Sequence, residues 1–144
     1  MPAPQEAAVF RQKGGDYVKG LAMVQDRGAW EEALAIAADR TGLSPAAPAR
    51  PFVVRLALET SRYMDNNHYL AYAGWKGAEG FAKVAMDRLT EQVRRPGWGR
   101  SRFVSVAAHE LTHCLQGYLG PRVWSNPPWL IEGMASYVAD ERGW

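Results

Sequence analysis

The sequence predicts an α+β fold in the order helix, helix, three strands, helix, helix. Three observations predict it. Apolar residues recur at helical spacing near both ends of the chain, as in Trp30, Ala33, Leu34, Ala37 and Ala38. In the middle they recur at period two, as in Phe52, Val54, Leu56 and Leu58. Turn chemistry, TGLSPAAPARP over 41–51, separates the two regimes.

Residues 1–15 hold two prolines and a Gly14-Gly15 break, which predicts a frayed start. Val18, Leu21, Met23 and Val24 predict a modest amphipathic helix from Asp16 to Asp26, closed by Gly28. A second helix is expected over Ala29–Arg40 and ends at Gly42 and Pro45. Phe52–Glu59 reads as a strand, with β-branched residues in support. His68–Trp75 reads as a second strand, bounded by Asn66-Asn67 and Gly77. Gly80–Leu89 suits either a strand or a helix, and the bracketing glycines favour a third strand. From Arg102 to Leu119 the helical pattern returns, with Ser101 as expected N-cap and Gly120-Pro121 as stop. Leu111, Cys114, Leu115 and Tyr118 give this helix its apolar side. The last helix is expected to start at Asn126, with Asn as cap and Pro127 in the first position.

The length of 144 residues suits one domain, with 1–50 helical, 51–90 sheet and 101–144 helical again. The composition excludes a fibrous or disordered class. One cysteine excludes an internal disulfide. No apolar run is long enough to span a bilayer, and no signal peptide is visible, so a cytoplasmic protein without a membrane partner is expected. A net charge of +2 does not suggest nucleic acid as partner. Arg94, Arg95, Arg100 and Arg102 cluster locally, and a solvated loop is the expected reading.

His109, Glu110, Leu111, Thr112 and His113 spell H-E-x-x-H. Histidines at i and i+4 share one helical face, so their imidazoles can converge on one metal ion. Glu110 lies about 100° around the helix from His109. From there it can reach a metal-bound water without being a ligand. Zinc held by two imidazoles needs a third protein ligand and keeps one position open for water. Glu110 would then be the general base. Eighteen residues separate His113 from Glu132. A helix, loop and helix of that length can fold back and set Glu132 opposite the two histidines. Glu132 sits in the apolar run WLIEGMASY, where a buried carboxylate would need a partner, and zinc supplies one. Cys114 adjoins His113 but points elsewhere, so a small buried hydrophobe is expected. His68 is expected to be an ordinary polar residue.

HELTH, the eighteen-residue gap and WLIEGMASY resemble the gluzincin zinc metallopeptidases, thermolysin-like and aminopeptidase-like, over residues 101–140. The resemblance implies His109, His113 and Glu132 as ligands of one zinc per chain and Glu110 as base. It implies a minimal zincin, with a small three- to four-stranded mixed sheet packed on the H-E-x-x-H helix. An edge strand holding extended peptide is also implied. Ala71–Trp75 would be that edge, with Tyr72, Ala73, Gly74 and Trp75, and Tyr137 beyond, as substrate-binding residues. The oxyanion donor that the family carries on later helices is not expected in the twelve residues after Glu132. Tyr137, Tyr118, His68, Tyr63, an arginine, or a homodimer or other partner chain would have to supply it. No G-x-M-E-N-like segment supports recognition of a free amino terminus. Ser136, and less so Asp140, are candidates to orient a histidine.

The leading expectation is therefore a zinc metallohydrolase, a peptidase acting on peptide or amide bonds. One alternative is a zinc enzyme on the same scaffold acting on one small metabolite or modified peptide, by hydrolysis, cyclisation or elimination. A second is a non-catalytic zinc-stabilised binding module, which the presence of Glu110 disfavours.

Overall fold

The computed structural model describes residues 15–43, 54–59, 70–76, 79–117 and 125–139. In chain order the elements are α1 (Gly15–Gln25), α2 (Arg27–Thr41), β1 (Val54–Glu59), β2 (Ala71–Lys76), β3 (Glu79–Ala85), α3 (Met86–Val93), α4 (Arg100–Gln116) and α5 (Pro128–Val138). The architecture is α+β.

The chain turns between α1 and α2 at Asp26, not at Gly28 as the sequence suggested. Asp26 is extended and its Oδ1 accepts from the Ala29 N–H at 3.2 Å, so a side-chain cap outweighs the glycine, which lies inside α2. Gly42 closes α2 at φ 73°, a left-handed conformation that suits glycine, and donates to the Ala38 carbonyl. On α1 the buried face is Tyr17, Gly20 and Val24, whereas Val18 is 61% exposed. The apolar residues alone misplace this face because its central contact is a glycine. A Cβ on Gly20 would lie 3.2 Å from Leu89 Cγ, so α1 and α3 approach closely there. On α2 the fully buried stripe is Ala29, Ala33 and Ala37, two of them on the expected face, whose other residues Trp30, Leu34 and Ala38 pack on the core half-buried. Small side chains let α2 lie close on α4, with Trp30 packing edge-on against Phe103 at 5.5 Å.

Among the described residues the sheet order is β1–β3–β2, with β1 parallel and β2 antiparallel to β3. Residues 52–53 and 68–69 of the expected first and second strands lie outside the described residues. The segment Gly80–Leu89 is not one strand. It is strand to Ala85 and helix from Met86, because Met86, Leu89 and Thr90 form one buried helical face against the core.

Between α3 and α4, Gly97 takes φ 79° in a tight turn. Two of the clustered arginines pair with carboxylates of the N-terminal helices. Arg94 meets Asp16 at 2.8 Å, and Arg100 meets Asp26 at 3.2 Å and Glu32 at 2.6 Å. α4 begins two residues before the expected start. Phe103 N–H bonds to the Gly99 carbonyl, so Gly99 is the cap and Ser101 falls within the first turn. α4 is the central helix, with α2 on one side and β2 and β3 on another. Its residues from Ala107 onward are almost all buried.

α5 starts at Pro128, with Pro127 as its cap, rather than at Asn126. A residue before proline is driven out of the helical region, and Pro127 accordingly sits at ψ 139°. Ala135 and Val138 anchor α5, and Arg40 Nη1 donates to the Val138 carbonyl at 2.6 Å. Leu119, Gly120-Pro121 and Tyr118 lie outside the described residues.

Candidate metal centre

Burial of α4 on two sides leaves one stripe of it facing a cleft. His109 and His113 lie on that stripe, one turn apart, with ring centroids 5.0 Å apart and Nε2 atoms 3.3 Å apart. α5 passes beside α4 and brings Glu132 to both rings. Its Oε2 is 3.2 Å from His109 Nε2 and its Oε1 is 3.2 Å from His113 Nε2. The three side chains offer ligand atoms within 4.8 Å of one another, and the cluster could hold a metal ion.

The two helices give these groups different settings. His113 is 6% exposed, and burial holds its pKa below the ordinary value. Gln116, then Glu132, pull the other way, and the His109 ring adds to the lowering. The ring is thus biased to the neutral, lone-pair form that a metal requires. The Glu132 side chain is 61% exposed, so the expected buried carboxylate is not what places it. The apolar run around it is largely surface: Trp129 is 73% exposed and Tyr137 74%. Glu132 faces the cleft because α5 is held by Ala135 and Val138, three and six residues further on.

The cleft measures about 470 Å3. Its floor is His109, Glu110 and His113 from α4, and one wall is Pro128, Ile131 and Glu132 of α5 with Asn126 before it. The opposite wall is Ala71, Tyr72 and Ala73 of β2. Alternate residues of a strand point to opposite faces, so three consecutive residues can line one cleft only where the strand's edge borders it. Among the described residues β2 is such an edge, bonded to β3 on its other side.

Of the residues expected to bind substrate, Tyr72 and Ala73 therefore line the cleft. Gly74 does not. It sits across from Phe81 in the ladder, and a Cβ there would come within 3.1 Å of that ring, so its smallness serves strand packing. The Trp75 backbone pairs with Gly80. Tyr137 is also not in the cleft lining, since five residues carry it roughly 140° around the helix from Glu132. Tyr63, His68, Tyr118 and Asp140 lie outside the described residues.

The partner found on His113 is not Ser136 but Gln116, whose Oε1 is 2.8 Å from Nδ1. Sequence reasoning missed it, although its spacing of three from His113 puts the two on one helical face. Asn126, Pro128 and Ile131 were missed as cleft residues because only the fold-back of α5 brings them there. Cys114 is fully buried beside the Phe81 carbonyl, and burial pushes its thiol to about 12, as suits a small core residue. The chain matches no family model, no curated protein and no solved structure.

Proposed function

We propose that the protein is a zinc-dependent metallohydrolase of the gluzincin type, cleaving peptide or related amide bonds. The observation that carries this reading is the cluster of His109 Nε2, His113 Nε2 and the Glu132 carboxylate, in which the two nitrogens are 3.3 Å apart and each lies 3.2 Å from one of the two carboxylate oxygens. Ligands held at zinc's usual bond lengths in a tetrahedron lie about 3.3 Å apart. A divalent cation at the centre of this cluster would take a lone pair from each of the three side chains. Two imidazoles and one carboxylate are the donor set of a catalytic zinc site, which keeps a fourth position open.

Zinc there would polarise the scissile carbonyl and acidify a water at the open position. Glu110, in the cleft floor beside both histidines, would take the proton of the attacking water and pass it to the leaving nitrogen. A purely structural metal site has no need of that carboxylate. The edge of β2 that borders the cleft would pair with an extended substrate through its backbone, while Tyr72 and Ile131 contact side chains. The cleft volume also suits a single small amide, so a dedicated small-molecule hydrolase is the second reading.

Metal analysis should find about one zinc per chain. Glu110→Gln should keep the metal and lose at least about 100-fold in hydrolysis of unfolded casein or a peptide library. A zinc-free protein, or full activity in Glu110→Gln, would overturn the reading. Zinc with hydrolysis of small amides alone would favour the second.

A further inference from the structure

Gln116 is 1% exposed and joins the two halves of the candidate metal centre. Its Nε2 lies 3.1 Å from the Ile131 carbonyl and 3.4 Å from Met134 Sδ, both on α5. Both groups only accept, so the nitrogen end of the amide must face α5. The reverse orientation would set the amide oxygen against the Ile131 carbonyl oxygen in a fully buried position and leave it without a donor. The oxygen end therefore faces His113 Nδ1 at 2.8 Å. An amide oxygen cannot donate, so the proton of this bond sits on Nδ1. A neutral imidazole carries one N–H. Its lone pair is then on Nε2, the atom that faces His109 and Glu132. The backbone of α5 thus selects, through one side chain, the tautomer of a histidine on α4. The same side chain grips Ile131, the residue before Glu132.

We propose that Gln116 is the positioning residue that preforms the metal centre, locking His113 with its Nε2 lone pair towards the cluster and tying α5 to α4 beside Glu132. This rests on the reading that the cluster binds zinc. Partners of this kind are worth about 10–100-fold in metal affinity elsewhere.

The test uses the full-length chain, wild type and two variants, with folding checked by circular dichroism. Gln116→Met keeps the length and removes both bonds. Gln116→Glu keeps an acceptor at Nδ1 and removes the donor to Ile131. Long-range proton–nitrogen spectra of the metal-free protein, at a pH where the rings are neutral, report the tautomer directly. The wild type should show His113 protonated on Nδ1. Gln116→Met should shift it towards the Nε2–H form, which dominates in free histidine, and lower zinc affinity about 10–100-fold. Gln116→Glu should restore the Nδ1–H signature, which a merely structural role would not do. An Nε2–H wild type overturns the proposal. So does a Gln116→Met protein with an unchanged tautomer and zinc affinity within about twofold of wild type. The tautomer is read without metal, so failure of zinc binding in the wild type sinks the metal reading alone. Where Gln116→Met does not fold, the wild-type and Gln116→Glu spectra decide the matter.

Discussion

Cys114 and His113 are neighbours in sequence with opposite fates. About 100° of helix rotation separates them, so one side chain enters the core and the other faces the cleft. With its thiol raised to about 12 by burial, Cys114 is protonated at any working pH and shielded from reagents. It should resist iodoacetamide at pH 8 in the folded protein and react fully in denaturant. Rapid labelling of the native protein, read by mass spectrometry, would contradict the burial. At this scale the sequence was most legible where spacing alone sets geometry. His109, Glu110 and His113 are related by helix periodicity, which holds in any helix. The link from Gln116 to α5 was not legible, because its partner Ile131 lies fifteen residues away on another helix.

The elements differ in how well their pattern exposes them. Helix α2 lies against α4 and is fully buried at Ala29, Ala33 and Ala37. Ala33→Leu should destabilise by about 1–3 kcal/mol, seen as a lower Tm and denaturation midpoint. Tolerance of leucine there would mean that the helices are not in close contact. The corner between α1 and α2 carries a pH dependence. The Ala29 N–H, and after it Arg100, hold the Asp26 carboxyl below its ordinary 3.8, with desolvation opposing. A carboxyl lowered on folding stabilises above its unfolded value and loses that contribution as pH falls below it. The stability advantage of wild type over Asp26→Asn, present at pH 6, should therefore shrink below about pH 4. An advantage that stays constant down to pH 2.5 in urea melts would rule out the charge as its source. Elements joined without a loop were the hardest to read. β3 passes into α3 at Met86 with no turn signal, so a period-two and a helical pattern run together. The apolar run of α5 misled for another reason: Trp129 and Tyr137 are at the surface, and hydrophobicity alone does not say which side of a helix is covered.

At the scale of the whole molecule, the cleft exists because α4 is held between α2 and the sheet while α5 folds back across it. A ligand that binds only the folded state stabilises it by about 2.7 kcal/mol at 100 times its dissociation constant. Zinc should therefore raise the wild-type Tm and a chelator should reverse the rise. Glu132→Ala should melt near the metal-free wild type, because the Glu132 side chain is largely exposed, yet show little response to zinc. A full zinc response in that variant, by differential scanning fluorimetry, would remove Glu132 from the ligand set.

By itself the sequence determined the order of helices and strands apart from α3, the pairing of two histidines on one face and the alternation that makes the middle of the chain a sheet. These follow from backbone periodicity, which is local. Only the tertiary structure decided that the helix bringing Glu132 to the imidazoles is solvent-facing, that Tyr72 borders the cleft while Tyr137 does not, and that Gln116 joins the two helices. Those facts depend on how α5 crosses α4, and a crossing is set by which residues of separate elements are buried together, not by the period of either element.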